Sequence, residues 1–263
     1  QVAGGCRYPW SGSYVSPCGS SQRVYRVNFS NTVPNITKPS VNLSYWYDNA
    51  KPGPKSTSCT TGSFPGQFDN NTTLDRSNGT QYIFPTSAYD CQVRDVSGNL
   101  LGRIAYTPGS PGSFVIDGVV FFDGKLEMQG NKNVVYSGRG SIYATDEIKM
   151  QGYVNLCPVA GVRPALEAMA FSILGFVAGA SSDSGFLIEN YTTFHGSVYV
   201  VNDYFQKNNV NVCGPVIAQE LIIENGSTNC YVPFGDLPPG APGAPTGPTS
   251  ISLTNVANSY STD

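Results

Sequence analysis

Beyond residue 113 the apolar positions recur with a period far longer than that of a helix or a strand. Four thirteen-residue stretches align without gaps: Gly118 to Gly130 (GVVFFDGKLEMQG), Gly140 to Gly152 (GSIYATDEIKMQG), Gly196 to Asn208 (GSVYVVNDYFQKN) and Gly214 to Gly226 (GPVIAQELIIENG). Two residues after each opening glycine stands Val120, Ile142, Val198 or Val216. Eight residues after it stands Leu126, Ile148, Tyr204 or Ile222. Between them lies Gly124, Asp146, Asn202 or Glu220, a turn-former or acidic residue that suits a bend joining two short strands. The copies start 22, 56 and 18 residues apart, and 56 reads as three further turns of similar size. Short strands at this period cannot bury their apolar faces alone, whereas turns stacked about 4.8 Å apart share one continuous core. The pattern therefore predicts an all-β chain with a parallel β-helix (β-solenoid) over 114–234. Glu224 falls where Met128 and Met150 stand in earlier copies, so the last copy is expected to shift its pleat or cap the stack.

Upstream, Gly, Pro, Asn and Ser break the chain into short runs. Gln22 to Phe29, Val41 to Tyr47 (VNLSYWY), Gln81 to Phe84 and Leu100 to Tyr106 read as strands. Residues 1–113 are expected to form a loop-rich β module stapled by disulfides, with the boundary at Pro108 to Gly112 (PGSPG). Between the second and third copies, Val162 to Leu174 has helical spacing, and Gly175 to His195 holds a degenerate turn. The apolar stretch Ala168 to Ala180 spans 13 residues, short of the roughly 20 a membrane helix needs, and reads as core. Residues 235–263 form a Pro/Gly-rich spacer of extended character, then a strand at Ser250 to Val256 whose Ile251, Leu253 and Val256 are candidates for assembly by strand addition.

Composition narrows the setting. Charged residues make up 13% of the 263, and the net charge of −3 gives no electrostatic reason for nucleic acid or anionic lipid as the main partner. The seven cysteines contain no CxxC and only one histidine accompanies them, which argues against zinc and haem. Their separations fit disulfides in an oxidising compartment, neighbours suggesting Cys6 with Cys18, Cys59 with Cys91 and Cys213 with Cys230. Cys157 is left over, as a buried free thiol or, less favoured, an intermolecular bridge. The sequon N-x-S/T occurs at Asn28, Asn35, Asn42, Asn70, Asn71, Asn78, Asn190 and Asn225, marking exposed, glycosylatable surface or simply an Asn/Ser/Thr-rich composition. Gln1 is not an initiator Met, so a removed leader or trimmed chain is expected.

Little in the chain points to catalysis. His195 has no GxSxG elbow with it and is expected to be structural. Asp117, Asp123, Lys125, Glu127, Arg139, Asp146, Glu147 and Lys149 lie in adjacent turns and read as a solvated face; clustered on one groove they would instead suit glycan cleavage. Tyr45, Trp46 and Tyr47 could stack on sugars, but a VNLSYWY run is more often core. Calcium loops, P-loops and dinucleotide fingerprints are absent from the sequence, and no cofactor or metal is expected.

The run DGVVFFDGKLEMQGNKNVVYSGRGSIYATDEIKMQGYVNLCP, with FHGSVYVV and GPVIAQELIIENG, resembles the β-solenoid ectodomains of pilin-like proteins associated with type IV pili, whose turns repeat a "GxIYAxGDVxxxGN" pattern. The resemblance covers about 120 residues, 114 to 234. It implies a domain displayed on a pilus or cell envelope, with roles in filament assembly, adhesion or, in some members, DNA capture. The hydrophobic N-terminal helix of a pilin is not in this sequence. The reading is an extracellular, non-enzymatic structural or adhesive protein that self-associates or joins other filament subunits by strand pairing. A carbohydrate-active or carbohydrate-binding β-helix and a DNA-binding pilus component are the alternatives.

Overall fold

The computed structural model describes residues 6–7, 14–15, 41–50, 57–65, 79–158, 173–179, 185–230 and 238–242. The chain divides into two compact units, 1–39 and 40–263. In the first, β1 (Cys6–Arg7) and β2 (Tyr14–Val15) pair antiparallel. The expected strand at Gln22 to Phe29 lies outside the described residues.

The second unit opens with α1 (Leu43–Ala50), where a strand was expected. Leu43, Trp46, Tyr47 and Ala50 are its less exposed positions, a spacing of three and four that fits a helix and not an alternating strand. Asn42 caps it: the Tyr45 N–H donates to Asn42 Oδ1 at 3.0 Å, a bond worth about 1 kcal/mol. Then come β3 (Thr57–Thr61), β4 (Thr80–Tyr82), β5 (Tyr89–Arg94), β6 (Leu100–Thr107) and β7 (Gly112–Phe122). β3, β5, β6 and β7 form an antiparallel meander, so the Pro108 to Gly112 stretch lies where β6 turns back into β7.

From β7 onward, paired strands run parallel. The remaining elements are β8 (Lys125–Gln129), β9 (Lys132–Ser137), β10 (Arg139–Ala144), β11 (Ile148–Gln151), β12 (Val154–Cys157), β13 (Ile173–Ala178), β14 (Phe186–Glu189), β15 (Thr193–His195), β16 (Ser197–Val200), β17 (Asp203–Lys207), β18 (Asn211–Cys213), β19 (Val216–Ile217), β20 (Glu220–Ile223) and β21 (Thr228–Cys230). Strands pair with the strand three further on, giving three parallel ladders: β7-β10-β13-β16-β19, β8-β11-β14-β17-β20 and β9-β12-β15-β18-β21. The long β7 also pairs through its first residues with β9, so the first and third ladders belong to one bent thirteen-stranded sheet. β4 adds a sixth strand to the second ladder.

Because a strand alternates its side chains, in-register stacking turns every inward position into a row. Val120, Ile142, Phe176, Val198 and Val216 form one row. Leu126, Ile148, Phe186, Tyr204 and Leu221 form another. Val134, Leu156, Phe194 and Val212 form a third. Across one circuit the rows meet: the Phe176 ring lies 5.8 Å from Phe186 and 5.3 Å from Phe194. One core therefore serves all three ladders.

The first ladder is buried on its outer side as well. Phe121 and Tyr143 lie under Tyr47 and Trp46 of α1, with ring centroids 5.6 and 5.8 Å apart. Further along, residues 238–242 sit on the same face. They form a tight turn in which the Ala241 N–H donates to the Pro238 carbonyl at 3.0 Å, with Pro239 leading and Gly240 at φ +74°. This is the type II arrangement, which needs a residue tolerant of positive φ in Gly240's place. The Tyr143 hydroxyl donates to the Gly240 carbonyl. An extended spacer was expected here; proline followed by glycine instead reverses the chain and anchors it to the sheet.

Three further expectations are met in part. Among the described residues the 56-residue interval holds one additional rung, paired 34 residues after Gly140 and 22 before Ser197, with residues 159–172 between β12 and β13 outside the described ones. Of the expected helix Val162 to Leu174, residues 162–172 lie outside the described ones, and Leu174 sits in β13. In the last copy the pleat slips by one: Tyr204 pairs with Leu221 and Phe205 with Ile222, since a rung of 17 residues replaces one of 18. Ile222 thus leaves the inward row and Glu224 never enters it.

Phe176→Ala should lower the unfolding free energy by about 3–5 kcal/mol, read as a lower urea midpoint. Gly240→Ala should cost roughly 1–2 kcal/mol, since its Cβ would be strained at positive φ and would meet Val119 and Trp46.

Candidate functional site

Three of the seven cysteines and the histidine converge on the outer side of the third ladder. Cys213 pairs in register with Cys230, and a disulfide joins them, linking the last two rungs. His195 pairs with Cys213, and Cys157 with Val135. The Leu156 to Phe194 pairing sets Cys157 and His195 in the same column one residue on. The column Val135, Cys157, His195, Cys213, Cys230 alternates with the inward row and faces away from the core. A second disulfide, Cys59–Cys91, crosses β3 and β5. Cys18 lies outside the described residues, so the Cys6 to Cys18 pairing is not described.

Cys157 is a buried free thiol, and burial pushes it up to about 12, which keeps it protonated and unreactive. His195 is fully buried, and neither ring nitrogen has a hydrogen-bond partner. Burial pushes its imidazole down to about 4. Its carbonyl accepts from the buried Tyr136 hydroxyl at 2.8 Å. The arrangement suits structural packing. Among the described residues, no three His, Cys, Asp or Glu side chains are grouped to hold a metal ion.

Three of the eight charged candidates, Lys125, Glu147 and Lys149, pair between rungs on the second ladder's outer face. Lys125 lies 3.4 Å from Glu147 and Lys149 lies 3.8 Å from Glu189. Asp123 is buried at a bend, accepting from the Thr145 hydroxyl at 2.8 Å, while that hydroxyl also accepts from the Gly124 N–H at 2.7 Å. Asp117 pairs in register with Arg103, whose guanidinium makes a bidentate contact with Asp90 at 2.9 and 2.8 Å. That contact holds the Asp90 carboxyl below its ordinary value. Glu127, Arg139 and Asp146 are half-buried on the strands or bends of the same rungs. Of the aromatic triplet, Trp46 and Tyr47 pack onto the first ladder and Tyr45 is exposed.

Asn28, Asn35, Asn70, Asn71 and Asn78 lie outside the described residues. Asn42 is the exposed helix cap. Asn190 and Asn225 occupy the corner where each rung passes from the second ladder to the third, both at positive φ. Asn208 stands between them and links all three: its amide donates to Asn190 Oδ1 at 3.0 Å, and the Asn225 amide donates to Asn208 Oδ1 at 3.4 Å. The Asn190 sequon's Thr192 is buried, its hydroxyl donating to the Glu189 carbonyl at 2.7 Å.

The two ends of the ladders differ. The β3-β5-β6 meander and β4 cover the first rung. At the other end no described strand pairs with the far edges of β19, β20 or β21. Leu221 and Ile223, at inward positions, are 51% and 46% exposed there, and Ile217 joins them from the first ladder. Sequence reasoning missed this end, although the pleat slip at Glu224 signals that the last copy differs. A cavity of about 50 Å³ lies beside it, between Ala241, Pro242 and the outer side of Ser197, Tyr199 and Ile217. Ile251, Leu253 and Val256 lie outside the described residues. No helix among the described residues is long and apolar enough to cross a membrane. No family model, curated protein or solved structure matches this chain.

His195 fixes a pH window. Unfolded, its imidazole titrates near 6.5; folded, near 4. Between these values only the unfolded chain takes the proton, so stability is unaffected above about 6.5 and falls by roughly 3 kcal/mol as the pH drops to 4. Urea unfolding across that range should show this loss, and His195→Val, which copies Val135 in the same column, should remove most of it.

Proposed function

We propose that this chain is a β-solenoid surface protein whose work is structural and adhesive, assembling through strand pairing in a pilus or other extracellular filament. The carrying observation is the asymmetry of its ends. Described strands cover the first rung, whereas no described strand lies on the far edges of the last one, where apolar Leu221 and Ile223 are exposed. A bare edge is a template for another strand. Pairing every third strand in register supports the solenoid reading, and the disulfides fit an oxidising, extracellular setting. The resemblance of the repeats to pilus-associated ectodomains supports the same placement.

The candidate for the added strand is the one expected from the sequence at Ser250 to Val256. Pro242 lies beside Ile217, and Ile251, Leu253 and Val256 follow in the 21 residues after it. Those residues pair with the open edge of a neighbouring copy in this reading. A heterologous contact of that kind extends indefinitely unless its rotation closes a ring.

Electron microscopy and light scattering on the native chain are expected to show assemblies that disappear in Leu221→Lys/Ile223→Lys and in a chain ended after Pro242, which keeps the docked turn on the first ladder. Monodisperse monomers in the native sample, or assemblies that survive both changes, would overturn the reading.

A further inference from the structure

The corner between the second and third ladders carries a feature that packing does not require. Each rung turns there through two residues, and the second of them forms a column: Asn131, Tyr153, Tyr191, Asn209 and Gly226. Tyr153, Tyr191, Asn209 and Gly226 have φ of 64°, 59°, 58° and 70°. Asn and Gly tolerate that region; a tyrosine is strained in it. The corner closes equally well with Asn209, whose N–H donates to the Asn225 carbonyl at 2.9 Å just as those of Tyr153 and Tyr191 donate to Asn190 and Asn208 at 3.0 Å. The backbone does not need tyrosine at either position.

The two rings are also left out of the core. They are 56% and 54% exposed, stacked 5.2 Å apart with planes 4° from parallel. Strained, exposed aromatic residues held in one fixed geometry mark a binding surface more than a packing solution. Tyrosine suits such a surface because it offers a rigid apolar face and a hydroxyl while losing little side-chain entropy. The residues that extend the column are exposed amides, Asn131 and Asn209, and Asn155 and the half-buried Gln151 flank it. Charges of both signs flank the column without belonging to it: Glu189 pairs with Lys149, Lys207 lies over the Phe205 ring at 4.9 Å, Lys132 follows Asn131 and Glu224 precedes Asn225.

From this we infer that the Tyr153–Tyr191 corner binds an uncharged, extended glycan of β-1,4-linked hexopyranoses. The stacked pair presents an apolar ring edge at each of two successive rungs to a chain lying along the corner, and the amides, each both donor and acceptor, take the sugar hydroxyls. The rungs rise by about 4.8 Å, a step comparable with the length of one pyranose unit, so an extended chain lying along the corner meets a side chain at each sugar. An anionic glycan is disfavoured because the column itself offers no cation. The inference is independent of filament assembly, since the corner lies on the side of the ladders and not at their open end.

Isothermal titration calorimetry with cellohexaose and chitohexaose, on the native chain and on Tyr153→Asn/Tyr191→Asn, tests it. Asparagine is the substitution of choice because Asn209 already occupies the same backbone position, so the variant should fold with an equal or higher thermal midpoint. Binding of at least one hexaose by the native chain, weakened about tenfold or more in the variant, is the expected result. No heat from either hexaose at millimolar concentration, or equal affinity in the two proteins, would overturn the assignment. Repeating the titration on Leu221→Lys/Ile223→Lys separates the two readings: glycan binding should persist there whether or not the native chain assembles.

Discussion

The structure depends on one constraint: from β7 onward, the strands within each ladder are parallel and three elements apart, and they must stay in register. A slip of one residue would send a whole inward row outward, because side chains alternate with period two. The corners enforce the register. Two consecutive residues there adopt positive φ in most of the circuits, and the N–H of the second donates to the carbonyl of the next rung's first. Gly130 and Gly152 serve as first corner residues early in the stack, and Asn190, Asn208 and Asn225 later, where their amides add a ladder of their own. The asparagine that looks like a glycosylation signal is, at these positions, also the residue that tolerates the backbone.

The same constraint explains where the core weakens. One inward row runs Met128, Met150, Ile188 and then Gln206. The buried Gln206 amide is satisfied, accepting from the Tyr204 hydroxyl at 3.1 Å and donating to the carbonyls of Val210 and Thr228 at 3.1 Å each. It ties the penultimate circuit to β21 where apolar cover runs out, as the Cys213–Cys230 disulfide does on the opposite side of that strand. A bare apolar edge reinforced from behind by a covalent bond and a satisfied amide can remain ordered while exposed. In the proposed reading that is the state an assembling end requires.

In the proposed reading, function divides along geometry. The end of the ladders offers main-chain pairing, which is indifferent to side chains and suits self-assembly. The long sides offer columns of like residues at a fixed rise, which suit repetitive ligands. The outer side of the first ladder is taken up by α1 and the docked turn at 238–242, and the second ladder carries opposite charges paired between rungs. The aromatic corner is the part of these sides where exposed apolar area and backbone strain coincide.

Much of this was legible in the sequence. The thirteen-residue repeats carry the inward residues of the first two ladders, and their rows are in register at Val120, Ile142, Val198 and Val216. Repetition is readable because each rung solves the same local problem with the same residue types. The helix at Leu43–Ala50 was not legible, because VNLSYWY satisfies an alternating pattern until Ala50 completes the helical one, and only the outer face of the first ladder makes that stripe worth burying. The reversal at Pro238 to Ala241 and the isolation of His195 were likewise decided in three dimensions, whereas the shifted pleat of the last copy is signalled in the sequence by Glu224. Sequence determined what each rung buries. Tertiary structure decided which outer surfaces are covered and which end stays open, because those outcomes depend on segments distant in the chain meeting the finished stack.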